Sequence, residues 1–435
     1  MKMLTSADKV KLPLGEIAVW CLAIIFIFEE IINFFIGSNI IGIIVVILFA
    51  VALTVFRYEH GETLVIRKTW LFFVAISIFI FPLSLVASGC SFSVKGTFSL
   101  VLLGCALLLI SRVQVVKLIT SSEISSFLLI TIIIALVAVP FGYDLWSKIT
   151  GHQSPLNSGL YGESSHLAIY LLPLLCYRIL KNYRDPLSWI TIIISLLISP
   201  SLTLIIGLCA IITLLAIAYL KNLKNFITII IVIASMIGVL LVGGYKFARY
   251  NDKIISLVQA EEIAQVNLSS MVWLNGWSQA YEQLTQTYGL GVGFNNMGCG
   301  VFERAGTYSD LEIAWVGGVL NYQDGSFLWS KLVSELGVAG IIMVLIVTVT
   351  CIRAIFDLRK FDKHNATYQS IRINEVLIMR ATGAACLLLF LYVRSLPYFM
   401  LPVILVIALI SQKRCSQPNR SVRIGMKAII GLGRI

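Results

Sequence analysis

The chain has 435 residues, 58% hydrophobic and only 13% charged, with a mean hydropathy of +0.93. There is too little polar surface here to cover a water-soluble globule, and unbroken apolar runs of about 17 to 25 residues exclude a β-barrel, whose strands alternate. The formal net charge of +11 would point to nucleic acid in a soluble protein, but its placement along the chain argues for membrane topology and against a nucleic-acid partner.

Taken in order, the apolar runs predict about twelve transmembrane helices, at residues 14–36, 38–56, 70–89, 97–111, 122–141, 164–180, 187–199, 201–220, 225–244, 328–352, 376–394 and 396–411. The expected fold class is an all-α polytopic membrane protein forming a single integral membrane domain over residues 1–435. Residues 1–14 are polar and basic and lead into a full-length span, so no cleavable signal peptide is expected. Basic residues are retained on the cytoplasmic side, and they recur in alternate connections: Lys9 and Lys11; Arg57, Arg67 and Lys68; Arg112 and Lys117; Lys181 and Arg184; Lys221 and Lys224; Arg353, Arg359, Lys360 and Arg372. That alternation places both termini in the cytoplasm. It leaves one large periplasmic loop, residues 245–325, and a basic cytoplasmic tail, residues 412–435, lying on the inner membrane surface.

Within the spans, Glu29 and Glu30 occupy the outer third of the first helix, where at least one is expected to face a polar interior or a cation. Residues 187–220 are too long for one helix and are broken at Ser199, Pro200 and Ser201, so a tight hairpin is expected, with Pro200 starting the return helix. Most of the nine cysteines sit in apolar runs as small hydrophobes. Cys90 and Cys299 are the two placed outside, which makes them the pair able to form a disulfide. No metal-ligand spacing occurs, and no cofactor is implied.

The sequence SGLYGESSHLAIYLLPLL, residues 158–175, carries the densest chemistry. Glu163 and His166 are three apart and share a face in the first turn of a helix. An anion approaching that turn would meet free backbone N–H groups, the hydroxyls of Ser164 and Ser165, and the positive end of the helix dipole. The same dipole favours a neutral His166, able to accept a proton. A plainer account is a serine cap, a dipole-complementing glutamate and an interfacial histidine. Downstream, GLGVGFNNMG at residues 289–298 is superficially like a phosphate loop but follows no strand of a βαβ unit. Gly291 and Gly293 permit tight turns, and Asn295 and Asn296 offer amides suited to sugar hydroxyls; a plain turn is the alternative. Asp324 enters the helix that carries Lys331 and Glu335, a pair that could satisfy each other. Arg249, Arg304 and Arg394 are outward-side candidates for a pyrophosphate clamp, with snorkelling the alternative for Arg394.

LYGESSHLAIYLLP (160–173), SSMVWLNGWSQAYEQL (269–284), GLGVGFNNMG (289–298) and NYQDGSFLWSKLVSELGVAG (321–340) together resemble the motifs of Wzy-type O-antigen polymerases, with Ser164 where proline is common in that family. The resemblance implies a membrane glycosyltransferase of the GT-C class in the bacterial inner membrane, with its site facing the periplasm. It would join undecaprenyl-pyrophosphate-linked oligosaccharide repeats into O-antigen-type polysaccharide by metal-independent inverting transfer. In that expectation Glu163 or His166 is the base. Arg249, Arg304 or Arg394, with Ser165, holds pyrophosphate, and Gly291, Gly293, Asn295 and Asp324 hold sugar. The partners would be the lipid-linked oligosaccharide as donor and acceptor, membrane lipid, and a chain-length-regulating membrane protein. An O-antigen ligase acting on lipid A core and a twelve-span transporter or flippase are the alternatives.

Overall fold

The computed structural model describes residues 14–36, 44, 47, 48, 114–151, 158–219, 268–299, 309, 325–361, 368–397 and 400–412. The expected spans at 70–89, 97–111 and 225–244, nearly all of 38–56, much of the 245–325 loop and the tail from 413 lie outside these residues. The described residues are mainly helical, with no strand among them. In chain order the helices are α1 (Leu14–Ile36), α2 (Lys117–Thr120), α3 (Ser122–Ala138), α4 (Leu145–Thr150), α5 (Ser164–Lys181), α6 (Pro186–Ile198), α7 (Leu202–Tyr219), α8 (Leu268–Gln286), α9 (Leu328–Asp357), α10 (Tyr368–Tyr392) and α11 (Leu401–Ile410). Five of them, α1, α3, α7, α9 and α10, are long and apolar enough to cross a membrane, and α6 and α11 are shorter apolar helices. The protein is therefore a helical membrane protein.

Helix α5 is the centre of the packing. Fourteen of its eighteen residues are buried, including Tyr170, Tyr177 and Pro173, and it lies against α7 and α10. It is not among the five helices long and apolar enough to cross a membrane, and its neighbours cover it on nearly all sides. A helix in that position can carry polar groups provided they find partners. At its last turn Arg178 does so: Nε and Nη2 donate to the two carboxylate oxygens of Asp185 at 2.7 and 3.0 Å, and Nη1 donates to Ser125 and Ser126 at 2.9 and 2.8 Å. This fork ties α5 to the cap of α6 and the start of α3. Burial alone would raise the Asp185 carboxyl, but the hydrogen bonds from Arg178 and Ser188 hold it below its ordinary value.

The break at residues 199–201 separates α6 from α7 as expected, but the two helices do not pack on each other as a tight hairpin: α6 lies against α3 and α7 against α5. Helix α7 begins at Leu202, and the Ser201 hydroxyl accepts from the N–H of Leu204 at 3.1 Å, so Ser201 is the cap and Pro200 stands just before it. The proline at a first helical position is Pro186, in α6.

Helix α9 is longer than its predicted span and is broken at Gly337, whose φ of 59° and ψ of −134° are not helical. The break leaves a short first segment, residues 328–336, whose last carbonyls need partners. They find them in the glycine loop after α8. Val292 and Gly293 donate to the carbonyls of Ser334 and Glu335 at 2.8 and 3.0 Å, and Val338 donates back to Gly289 at 2.8 Å. A Cβ on Gly337 would stand inside contact distance of the Gly289 carbonyl. Helix α10 begins earlier than the span at 376–394, and α11 is shorter than that at 396–411, with residues 393–397 and 400 non-helical and Pro402 in the first turn of α11.

Candidate functional site

The ends of α1 and α10 and the starts of α5, α9 and α11 meet in one layer. There the chain leading into α5 brings Glu163 to the helix mouth with an extended backbone, φ −138° and ψ 151°. Its side chain makes no cap hydrogen bond. Instead Oε2 accepts from Nη2 of Arg394 at 3.0 Å and from the Ser165 hydroxyl at 2.9 Å. No side-chain hydrogen bond caps α5 at Glu163, though its carboxylate still stands at the positive end of the helix dipole, as the plainer account has it. Arg394 is set at this place by the turn after α10: Val393 and Arg394 both donate to the Leu389 carbonyl, and Ser395 donates to the carbonyl of Ser326 at the entry to α9. Burial would raise the Glu163 carboxyl, but Arg394, His166 and the two hydrogen bonds outweigh it and bring it down to about 2.

His166 sits between two carboxylates. Its Nδ1 lies 2.7 Å from Oε1 of Glu30, on α1, and its Nε2 lies 3.9 Å from Oε2 of Glu163. The second oxygen of Glu30 accepts from the Gly162 N–H at 2.9 Å. Glu30 is buried, whereas the His166 side chain is 22% exposed. The neighbouring Glu29 has a different task. It is fully buried and accepts from the Tyr170 hydroxyl at 2.8 Å and from the Leu401 N–H at 2.9 and 3.0 Å, so it joins α1, α5 and the N-terminus of α11. Tyr161 stacks on Tyr170 with ring centroids 4.8 Å apart, and its hydroxyl is buried and driven up by burial and by the charges of Glu30 and Glu29.

A second group of side chains lies beside Arg394. Trp273 Nε1 donates to the Tyr392 carbonyl at 3.0 Å, and its ring leads through Trp277 and Phe327 to Trp329, with the Trp277–Trp329 centroids 4.1 Å apart. These half-buried indoles come from α8 and the first segment of α9. Lys331 and Glu335 are both buried and lie 3.2 Å apart.

Of the residues singled out from sequence, the structure brings together Glu163, His166, Ser165 and Arg394. Gly291 and Gly293 lie in the loop that secures the break in α9, with Gly291 donating to the Thr287 hydroxyl at 2.8 Å and Gly293 to Glu335. Asn295 is half-buried with a φ of 56°, and Asn296 is buried with an unpartnered amide nitrogen. Arg249, Arg304, Asp324 and Cys90 lie outside the described residues. Cys299 is disulfide-bonded. Sequence reasoning left the role of Glu30 open; the signal was there, in two adjacent carboxylates within an apolar helix. The link between Ser395 and Ser326 had no signal at all.

No family model, curated protein or solved structure matches this chain.

Proposed function

We propose that this protein is a membrane glycosyltransferase that polymerises lipid-linked oligosaccharide repeats on the periplasmic face of the bacterial inner membrane. One observation carries the reading: a guanidinium, a carboxylate and an imidazole, from elements more than 200 residues apart in sequence, converge at the mouth of a membrane-embedded helix. That is the chemistry a pyrophosphate-linked sugar needs. Arg394 offers a planar donor for departing phosphate oxygens, and Glu163 or His166 offers a base. Trp273, Trp277 and Trp329 add aromatic faces against which sugar rings can pack. A disulfide at Cys299 supports an oxidising compartment for the glycine loop.

In the reaction, the acceptor sugar of a new lipid-linked unit gives its hydroxyl proton to the base as its oxygen bonds to the anomeric carbon of the growing chain. The bond from that carbon to the pyrophosphate oxygen breaks, and its electron pair leaves on undecaprenyl pyrophosphate. The proton then passes to water. Donors placed where charge develops supply much of the acceleration, and a positioned base contributes about 10² to 10⁴ in rate. Because the donor carries its own leaving group, no nucleotide is needed outside the cell.

The test is the purified protein incubated with undecaprenyl-pyrophosphate-linked repeats. A ladder of longer glycans still on the lipid is expected, lost in His166→Ala and in Arg394→Ala. Product moved to lipid A core would identify a ligase, and counterflow of a labelled solute in proteoliposomes a transporter. A full ladder from both His166→Ala and Glu163→Gln would remove this site from the mechanism.

A further inference from the structure

Glu163 and His166 are both candidates for the base, and their surroundings differ. The acceptor oxygen of Glu163, Oε2, is already shared by Arg394 and Ser165. A carboxylate held that way is a weak proton acceptor, and its remaining task is to keep the guanidinium in place. The imidazole has Nδ1 close against Glu30, while its Nε2 lies 3.9 Å from Glu163 Oε2, beyond hydrogen-bond distance. Two buried atoms, Nδ1 of His166 and Oε1 of Glu30, stand 2.7 Å apart, and they can coexist at that distance only with a proton between them. Glu30 is itself held by the Gly162 N–H, one residue before Glu163.

We propose that Glu30 is a positioning residue: it holds the proton of His166 on Nδ1, so that Nε2 is the atom that takes the proton from the acceptor hydroxyl. The assignment of Nε2 as the base rests on the glycosyl-transfer reading; the assignment of the Nδ1–H tautomer does not. The tautomer and the ring orientation of a histidine are set by what its second nitrogen meets, and a carboxylate there also stabilises the cation formed once Nε2 is protonated. The other groups around the ring agree with this. From α1 come Glu30 and, one residue away, Glu29, which is occupied by Tyr170 and Leu401. From the approach to α5 come Tyr161 and Glu163, and from the turn after α10 comes Arg394, which neutralises Glu163. Sequence placed Glu30 132 residues from Gly162 and gave no reason to join it to the histidine.

Four histidines occur in the chain. With His60, His152 and His364 replaced by Gln, ¹⁵N-histidine labelling of the purified protein in lipid nanodiscs reports His166 alone. Recorded on the alkaline side of the His166 titration, the expected spectrum shows a protonated Nδ1 and an unprotonated Nε2. Glu30→Gln, which leaves one oxygen to serve both Gly162 and the imidazole, should give mixed tautomers and a 10- to 100-fold lower kcat in the polymer-forming assay, with KM within twofold. Glu29→Gln serves as the control and should leave the tautomer unchanged. A neutral ring with its proton on Nε2 in the wild type, or an unchanged tautomer in Glu30→Gln, overturns the positioning role, and the wild-type spectrum needs no variant at the site. The expected tautomers in a protein that forms no glycan ladder would uphold the role of Glu30 and overturn the glycosyltransferase reading instead.

Discussion

Replacing Gly337 by Ala tests the link between the glycine loop after α8 and helix α9. The alanine would have to adopt a φ near 59° and a ψ near −134°, which for a residue with a Cβ costs about 1–3 kcal/mol. Its Cβ would also meet the Gly289 carbonyl, so the loop must retreat. Retreat breaks the bonds from Val338 to Gly289, Val292 to Ser334 and Gly293 to Glu335, each contributing about 0.5–1.5 kcal/mol net. The sum is about 3–7 kcal/mol, read as the shift in the unfolding midpoint of the purified protein in detergent. Gly142→Ala separates the two causes. Its φ is 83°, but nothing lies within 4 Å of the added Cβ, so only the backbone preference is lost, about 1 kcal/mol. If Gly337→Ala destabilises no more than Gly142→Ala, the loop does not hold the break and the reasoning fails.

Arg178→Met leaves Asp185 without its bidentate partner and should cost about 3–5 kcal/mol, with Arg178→Lys intermediate because an ammonium cannot make the fork; thermal unfolding measures both. The depressed Glu163 carboxyl makes the Arg394 link pH-dependent in a defined direction. Its folded value lies near 2 against an ordinary 4.5, so the contribution is fully present above about pH 4.5 and disappears as pH falls toward 2. Difference infrared spectra of wild type against Glu163→Gln should place its titration there, and Arg394→Gln should move it upward; an unmoved band would separate the two residues. Cys299 should resist a membrane-impermeant maleimide added to spheroplasts until a reductant is present, and labelling without reductant would contradict the bond.

Much of the frame was legible in the sequence because lipid imposes a length and a composition on helices. Helices α1, α6 and α7 lie within a residue of their expected ends and α3 starts where expected but ends three residues early; Ser121 before α3 and Ser201 before α7 are local devices that set a boundary. The convergence of Glu163 and Arg394 followed in part from the same counting, since both were placed at outer helix ends. What counting could not reach were contacts with no local signal. The break at Gly337 depends on carbonyls being satisfied by a loop some 45 residues earlier, and the glycines of that loop read equally well as a binding turn. The non-helical stretch through Arg394 and Ser395 is stabilised by Ser326, far away in sequence.

The burial of α5 bears on how the protein is made. A helix that carries Arg178, Lys181 and the mid-helix Pro173, and that falls short of its neighbours in apolar character, has little reason to leave the translocon for lipid by itself. Its polar groups are satisfied only by segments emerging before and after it: Ser125 and Ser126 from α3, Asp185 from the cap of α6, and Glu375 from α10, which accepts from Tyr177 at 3.0 Å. The helix that carries the proposed chemistry is thus held back until nearly the whole chain has been synthesised, and a truncated product lacking α10 should expose α5 to quality-control proteolysis rather than accumulate as a partly active enzyme.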